Sequence, residues 1–220
     1  MRLIEAIPKL RSIKNQLLTD VLNDMPGELR LNKGNVGQLI ELYLGLRTAN
    51  KRTDFTDGEL KSTKTRSDGT PAETIFIMQI SSVIDEMLSQ PPQEFEATDF
   101  YKKIRNLLLV QVIKVGPETN WRFGEVFHVD VSREPDIFSQ LRSDYYSICF
   151  GLLDYANYSE DGFIHTTNGK FVQVRSKDSK PYHPIYSEQL GRNVSNKNHA
   201  LYFRKEFHHH LIAQASRYSL

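Results

Sequence analysis

The run Leu107-Leu108-Leu109-Val110-Gln111-Val112-Ile113 constrains this chain more than any other segment. Its apolar residues are nearly unbroken and do not alternate with polar ones, so it suits a strand covered on both faces. Such a strand needs layers of other elements around it, which implies a mixed α/β fold. A second run, Thr74-Ile75-Phe76-Ile77-Met78, predicts another central strand of the same kind. No uncharged apolar stretch is longer than 107–113, and a bilayer-spanning helix needs about 20 residues, so no membrane partner is expected.

With 220 residues, the chain can bury roughly 70–75 % of its unfolded surface without disulfides or metals as staples. At 39 % hydrophobic and 25 % charged, its composition excludes extended disorder and collagen-like structure. Cys149 has no second cysteine to pair with, and between Ile148 and Phe150 it reads as a buried small hydrophobe in a reducing cytoplasm. Glu5 falls where the apolar core of a signal peptide would run, so secretion is not expected. A net charge of +1 leaves a polyanionic partner undecided, although basic residues gather around Lys61, Lys102, Arg175, Arg192 and Arg204.

Apolar spacing predicts an amphipathic helical region over 1–24, broken near Pro8, and a second helix over 36–44 with Gly45 at its C-cap. Asp57-Gly58 is a turn signal, and Glu59-Leu60-Lys61-Ser62-Thr63 is a strand after it. Helices are expected over 81–88 and 137–155, and a strand at Phe171-Val172-Gln173-Val174-Arg175. The polar stretch 176–198 reads as loop, and Ala200-Leu201-Tyr202-Phe203 leads into a C-terminal helix. The whole is one α/β domain with two lobes around a cleft.

The chemistry concentrates at 53–61. On a strand, Glu59 and Lys61 share one face and Leu60 takes the other. The Asp57-Gly58 turn folds Asp54 back beside Glu59, so two carboxylates and a backbone carbonyl can hold a magnesium ion that also takes a substrate phosphate oxygen. Lys61 stands beside that cavity, able to orient the attacking water or neutralise transition-state charge. A solvated charged hairpin would carry the same residues. Glu41, however, falls among apolar residues just upstream, where a carboxylate needs a partner or a metal. By contrast, His208-His209-His210 on one helix point in different directions and make a poor chelate.

Lys33-Gly34-x-x-Gly37-x-Leu39-x-Glu41, followed by Asp54 and Gly58-Glu59-Leu60-Lys61, resembles the active-site signature of the MutH-like endonucleases. That family joins a methyl-directed mismatch-repair endonuclease to type II restriction endonucleases of the same fold. The resemblance continues through Lys103-Ile104-Arg105, Phe171–Lys177 and Leu201-Tyr202-Phe203-Arg204-Lys205, covering about residues 32–211. It implies a restriction-endonuclease-like fold: a mixed central sheet flanked by helices, with two lobes around a DNA cleft. Within one domain, 1–31 would be a helical region, 32–115 the catalytic core and 116–220 the DNA-recognition lobe with the C-terminal helix.

Carried over by position, the resemblance implies Glu41, Asp54, Glu59, Lys61 and Lys103 as catalytic residues. Mg²⁺ would be held by Asp54, Glu59, Glu41 and the Leu60 carbonyl. Lys33, Arg175, Lys177, Tyr202 and Arg204 would contact double-stranded DNA. The Asp54-to-Glu59 spacing is shorter than in the repair enzyme, and the segment after Lys61 differs from it. Those departures point to a type II restriction endonuclease, at GATC-like sites, with a cognate DNA methyltransferase in the same system. The alternatives are a methyl-directed mismatch-repair strand-nicking endonuclease and a non-cleaving DNA-binding module. One active site cuts one strand at a time, so double-strand cleavage would require a homodimer on DNA or sequential nicking by a monomer.

Overall fold

The computed structural model describes residues 1–23, 36–46 and 53–220. Among them α-helices and strands alternate in mixed order, as expected of an α/β protein. The helices are α1 (Leu3–Ser12), α2 (Leu18–Asn23), α3 (Val36–Leu44), α4 (Ile84–Leu88), α5 (Asp99–Ile104), α6 (Pro135–Tyr158), α7 (Lys205–Ala213) and α8 (Ala215–Tyr218). The strands are β1 (Glu59–Thr65), β2 (Ile75–Gln79), β3 (Asn106–Ile113), β4 (Arg122–Asp130), β5 (Thr167–Asn168), β6 (Val172–Ser176), β7 (Ile185–Ser187), β8 (Arg192–Ser195) and β9 (His199–Phe203). No described helix is long and apolar enough to cross a membrane.

The chain forms two compact units that interleave in sequence. The first takes Met1–Ile75, Lys103–Arg133 and His208–Leu220, and the second takes Phe76–Lys102 and Glu134–Phe207.

In the first unit β3 is the middle strand of a mixed sheet, parallel to β1 and antiparallel to β4. Residues Leu107 to Val112 are all buried, as the apolar run requires. One sheet face, with Leu60, Leu108, Val110 and Val112, shares a core with Leu3, Ala6 and Leu10 of α1 and Leu39, Ile40 and Leu44 of α3. Each such side chain contributes roughly 1.5–3 kcal/mol by leaving water. Gly45, at φ +75°, ends α3, the left-handed conformation expected of a glycine C-cap. The helix α1 runs through Pro8 rather than breaking there. Proline forfeits one backbone hydrogen bond, but Pro8 is exposed and the buried stripe around it holds the helix together. Gln111 interrupts the apolar run at a bulge in the β3–β4 ladder, opposite Gly124. A Cβ at Gly124 would lie 2.9 Å from Gln111 Cβ, so only glycine admits the bulge.

In the second unit the sheet order is β2-β9-β6-β5, with β7 and β8 as a separate hairpin. Helix α6 packs on β5 and β6, and Pro135 occupies its first turn, where a missing N–H costs nothing. The buried Asp144 carboxylate of α6 accepts the backbone N–H groups of Lys170, Phe171 and Val172 and so sets the entry to β6. Phe138 and Tyr145 of α6 form an aromatic cluster with Phe95 and Phe100.

Three further expectations are corrected. The strand Ile75–Gln79 is not a second central strand beside β3: it lies in the other sheet and alternates buried and part-exposed residues. The stretch 176–198 is not all loop, because Ile185 and Val194 are buried in the β7–β8 hairpin. The strand β4, beyond the expected boundary at 115/116, pairs with β3 in the first unit. Its apolar residues Phe123, Val126, Phe127 and Val129 carried the signal for that pairing, broken in period by the bulge.

Candidate functional site

Parallel pairing sets Glu59 opposite Leu107, so the start of β1 lies at the same end of the sheet as Lys103, the residue before Ile104 at the close of α5. Glu59 is 1 % exposed there, and its Oε1 receives the ammonium groups of Lys61 at 2.5 Å and Lys103 at 2.9 Å. One carboxylate oxygen thus gathers both expected lysines. The other, Oε2, is buried and has no hydrogen-bond partner among the described residues.

Asp54 does fold back across the Asp57-Gly58 turn: its Oδ2 accepts the N–H of Leu60 at 3.0 Å. The turn is fixed from several directions. Asn106 Nδ2 donates to the Asp57 carbonyl at 3.0 Å, and Asp57 Oδ1 accepts the N–H of Leu3 at 2.7 Å. Asn106 Oδ1 meets His128 Nε2 on β4 at 2.9 Å, so three strands support the residue that aims Glu59. Sequence reasoning missed Asn106 because it reads as the plain polar start of an apolar run.

Glu41 lies on α3, which packs closely on β1: a Cβ at Gly37 would meet Ser62 Oγ at 3.3 Å. Burial pushes the Glu41 carboxyl above its ordinary range, the charge of Asp54 and then Glu59 adds to this, and Lys61 and Lys103 oppose it. Burial likewise raises Glu59, Lys61 pulls it down and Asp54 pushes it up. The three acids and two lysines therefore form one electrostatic group, crowded with negative charge in a poorly hydrated place. Among the described residues no three Asp, Glu, His or Cys side chains converge closely enough to hold a metal ion alone. Glu41 is coupled through charge to both Asp54 and Glu59. An orphaned buried carboxylate oxygen and a second carboxylate nevertheless suit a hard cation such as Mg²⁺, which keeps several water ligands and needs few from the protein.

In the second unit, exposed Arg175 lies over the Tyr202 ring at 5.5 Å, and Lys177 Nζ lies 3.3 Å from the centre of the Phe76 ring. Phe76 and Tyr202 meet edge to face at 5.7 Å. The result is an alternating array of cations and rings on β2, β9 and β6 that joins three expected residues to one, Phe76, that the sequence assigns to a core. Burial raises the Tyr202 hydroxyl above its ordinary range and Arg175 opposes the shift. Arg204 is used otherwise: its guanidinium donates to the Gly169 carbonyl at 2.5 Å and pairs with Glu206 at 3.0 Å. Lys33 lies outside the described residues.

No family model matches the chain. Two curated proteins are similar to it over most of their length. The DNA mismatch repair protein MutH of Actinobacillus pleuropneumoniae is 26 % identical over 190 residues, which is 84 % of this chain and 79 % of that protein. The protein of the same name from Buchnera aphidicola is 26 % identical over 207 residues, 87 % of this chain and 86 % of its own. These matches cover parts of both units, and together with that geometry they support a distant likeness to the MutH mismatch repair proteins.

Proposed function

We propose that this protein is a Mg²⁺-dependent DNA endonuclease of the mismatch-repair type, which nicks one strand of double-stranded DNA. The observation that carries the reading is the convergence of Lys61 and Lys103 on the buried Glu59 carboxylate, beside Asp54. Both similar proteins bear the name of a mismatch repair protein, which favours nicking over the restriction activity expected from the sequence. Asp54, Glu59 and the Leu60 carbonyl would hold the metal, with Glu41 adding negative potential. The bound ion would supply Lewis-acid stabilisation of charge on the phosphoryl oxygens.

The protein's own residues do the rest. Lys61 orients the attacking water and neutralises charge as the phosphodiester opens, and Lys103 holds Glu59 in place through the same oxygen. Dividing the labour, the first unit cleaves and the second reads: Arg175, Lys177 and Tyr202 present donors and a ring to base edges and phosphates.

A second reading, a stand-alone type II restriction endonuclease partnered by a methyltransferase, is favoured by the short Asp54-to-Glu59 spacing alone. A digest of plasmids, adenine-methylated or unmethylated at GATC, separates the two. Nicked circles confined to unmethylated DNA support the nickase, whereas discrete linear fragments made by the protein alone support the restriction enzyme. Lys61→Ala should abolish cleavage in either case and leave specific binding intact. Mg²⁺-independent activity, or an active Lys61→Ala, overturns the endonuclease assignment.

A further inference from the structure

Beside the cation and ring array lies an open depression of about 760 Å³ whose lining includes Gln79, Arg175, Lys177, Asn198 and Tyr202. Its best-fixed polar side chains are an amide pair. The N–H of His199 donates to Asn198 Oδ1 at 2.8 Å. A backbone N–H can only donate, so that atom of Asn198 is its oxygen and the other end is the amide nitrogen. Asn198 Nδ2 then donates to Gln79 at 2.9 Å, which makes the receiving atom Gln79 Oε1. By the same logic the remaining end of Gln79 is Nε2, and among the described residues it has no hydrogen-bond partner.

Asn198 is itself held at both main-chain ends. Its N–H donates to Asp178 Oδ2 at 2.8 Å, and its carbonyl accepts the N–H of Lys177 at 2.9 Å. Asp178 also receives the N–H of Ser179 at 3.0 Å and of His183 at 2.6 Å, with His183 Nδ1 at 2.9 Å. Gln79 ends β2, and the Ile80 N–H donates to the His199 carbonyl at 3.0 Å, so the backbones on either side of the pair are also tied. An exposed glutamine seldom has one defined amide orientation; here a chain from Asp178 through Asn198 imposes one.

We infer that Gln79 is a specificity-determining residue whose pre-oriented amide reads an adenine edge in the major groove. This rests on the proposed endonuclease function and names part of what that site recognises. A glutamine amide matches adenine bidentately: Nε2 donates to N7, and the second lone pair of Oε1 accepts from the N6 amino group. Fixing the amide beforehand removes the ordering cost that a free glutamine would meet on binding. Asn198 is then a positioning residue, because it acts through Gln79.

The test is cleavage of a duplex library randomised across the recognition site, with Mg²⁺, by wild type, Gln79→Leu and Asn198→Leu. Wild type should require adenine at one position. Gln79→Leu should lose roughly tenfold to a hundredfold of that discrimination while selectivity at the other positions stays close to wild type. Asn198→Leu should relax the same position more weakly, with Gln79→Glu unable to restore the adenine preference. A site profile for Gln79→Leu identical to a selective wild type overturns the inference and leaves the endonuclease reading standing. A wild type that neither binds nor cuts duplex DNA overturns both. Equal loss at every position assigns Gln79 a structural role and also overturns the inference.

Discussion

Asp54 Oδ2 accepts the backbone N–H of Leu60 at 3.0 Å, across the turn that introduces β1. One carboxylate therefore both fixes the backbone between Glu59 and Lys61 and adds negative charge beside them. Asparagine can keep the first role and not the second. Asp54→Asn should unfold within about 1 kcal/mol of wild type and lose Mg²⁺-dependent cleavage, whereas Asp54→Ala should lose cleavage and a further 1 kcal/mol or so of stability. Urea unfolding alongside a nicking assay separates the roles. Full activity in Asp54→Asn would show that its charge is not needed.

Lys61 and Lys103 share a single acceptor, Glu59 Oε1, so their contributions should not add. With either lysine gone the other still neutralises Glu59, and each alanine variant should lose about 1 kcal/mol. With both gone a carboxylate 1 % exposed is left buried without a counter-charge, and the double variant should lose at least about 3 kcal/mol. A double-mutant cycle by chemical denaturation measures the coupling. Simple additivity would mean that each lysine is stabilised by something else.

Gly58 is the closest fit in the first unit. A Cβ there would lie 2.7 Å from the Asn106 carbonyl oxygen and 2.5 Å from Leu3 Cδ1, and the first neighbour is main chain that cannot turn aside. Gly58→Ala should cost about 1–3 kcal/mol and slow cleavage further, because the displaced turn carries Glu59 with it. Cleavage at saturating DNA, measured below the melting temperature of the variant, tests this. Wild-type turnover would show that the turn does not aim the acid.

Burial pushes the His208 imidazole down to about 4, and His209 adds to the shift. Its Nε2 meets the Gln111 amide at 2.9 Å and its ring lies against Phe127. The unfolded chain binds this proton first, near pH 6.5, so the stability linked to it is complete above that pH and lost as the pH falls toward 4. The span corresponds to about 3 kcal/mol. Melting temperature followed from pH 7 to 4 should fall steeply in wild type and less in His208→Gln. Parallel curves would place the acid sensitivity elsewhere.

The Glu59–Lys61 pairing and the return of Asp54 were legible in the sequence because strand periodicity and an Asp-Gly turn are local rules. The chain length between them is too short to do much else. The same rules failed at Phe76, since an apolar run of five residues looks alike in a covered strand and in one with a working outer face. They also failed at Asn106 and Gln79, whose importance comes from hydrogen bonds between residues far apart in sequence. The β7–β8 hairpin was hidden by the many polar and charged residues around its two buried apolar side chains, Ile185 and Val194. Lys103 was found through family resemblance alone: nothing around it predicts that parallel pairing of β1 and β3 brings it to Glu59.

The interleaving of the two units along the chain governs how such a protein can be altered. The backbone passes between them after Ile75, Lys102, Arg133 and Phe207. A truncation at any one of those seams leaves the first unit incomplete, and 103–133 of the first unit separates the two segments of the second, so neither can be expressed alone by simple clipping. A graft that exchanges the second unit must instead replace 76–102 and 134–207 together, respecting all four seams. Small changes on exposed strand ends are thus the easier route to a new recognition site, because they leave every crossing untouched.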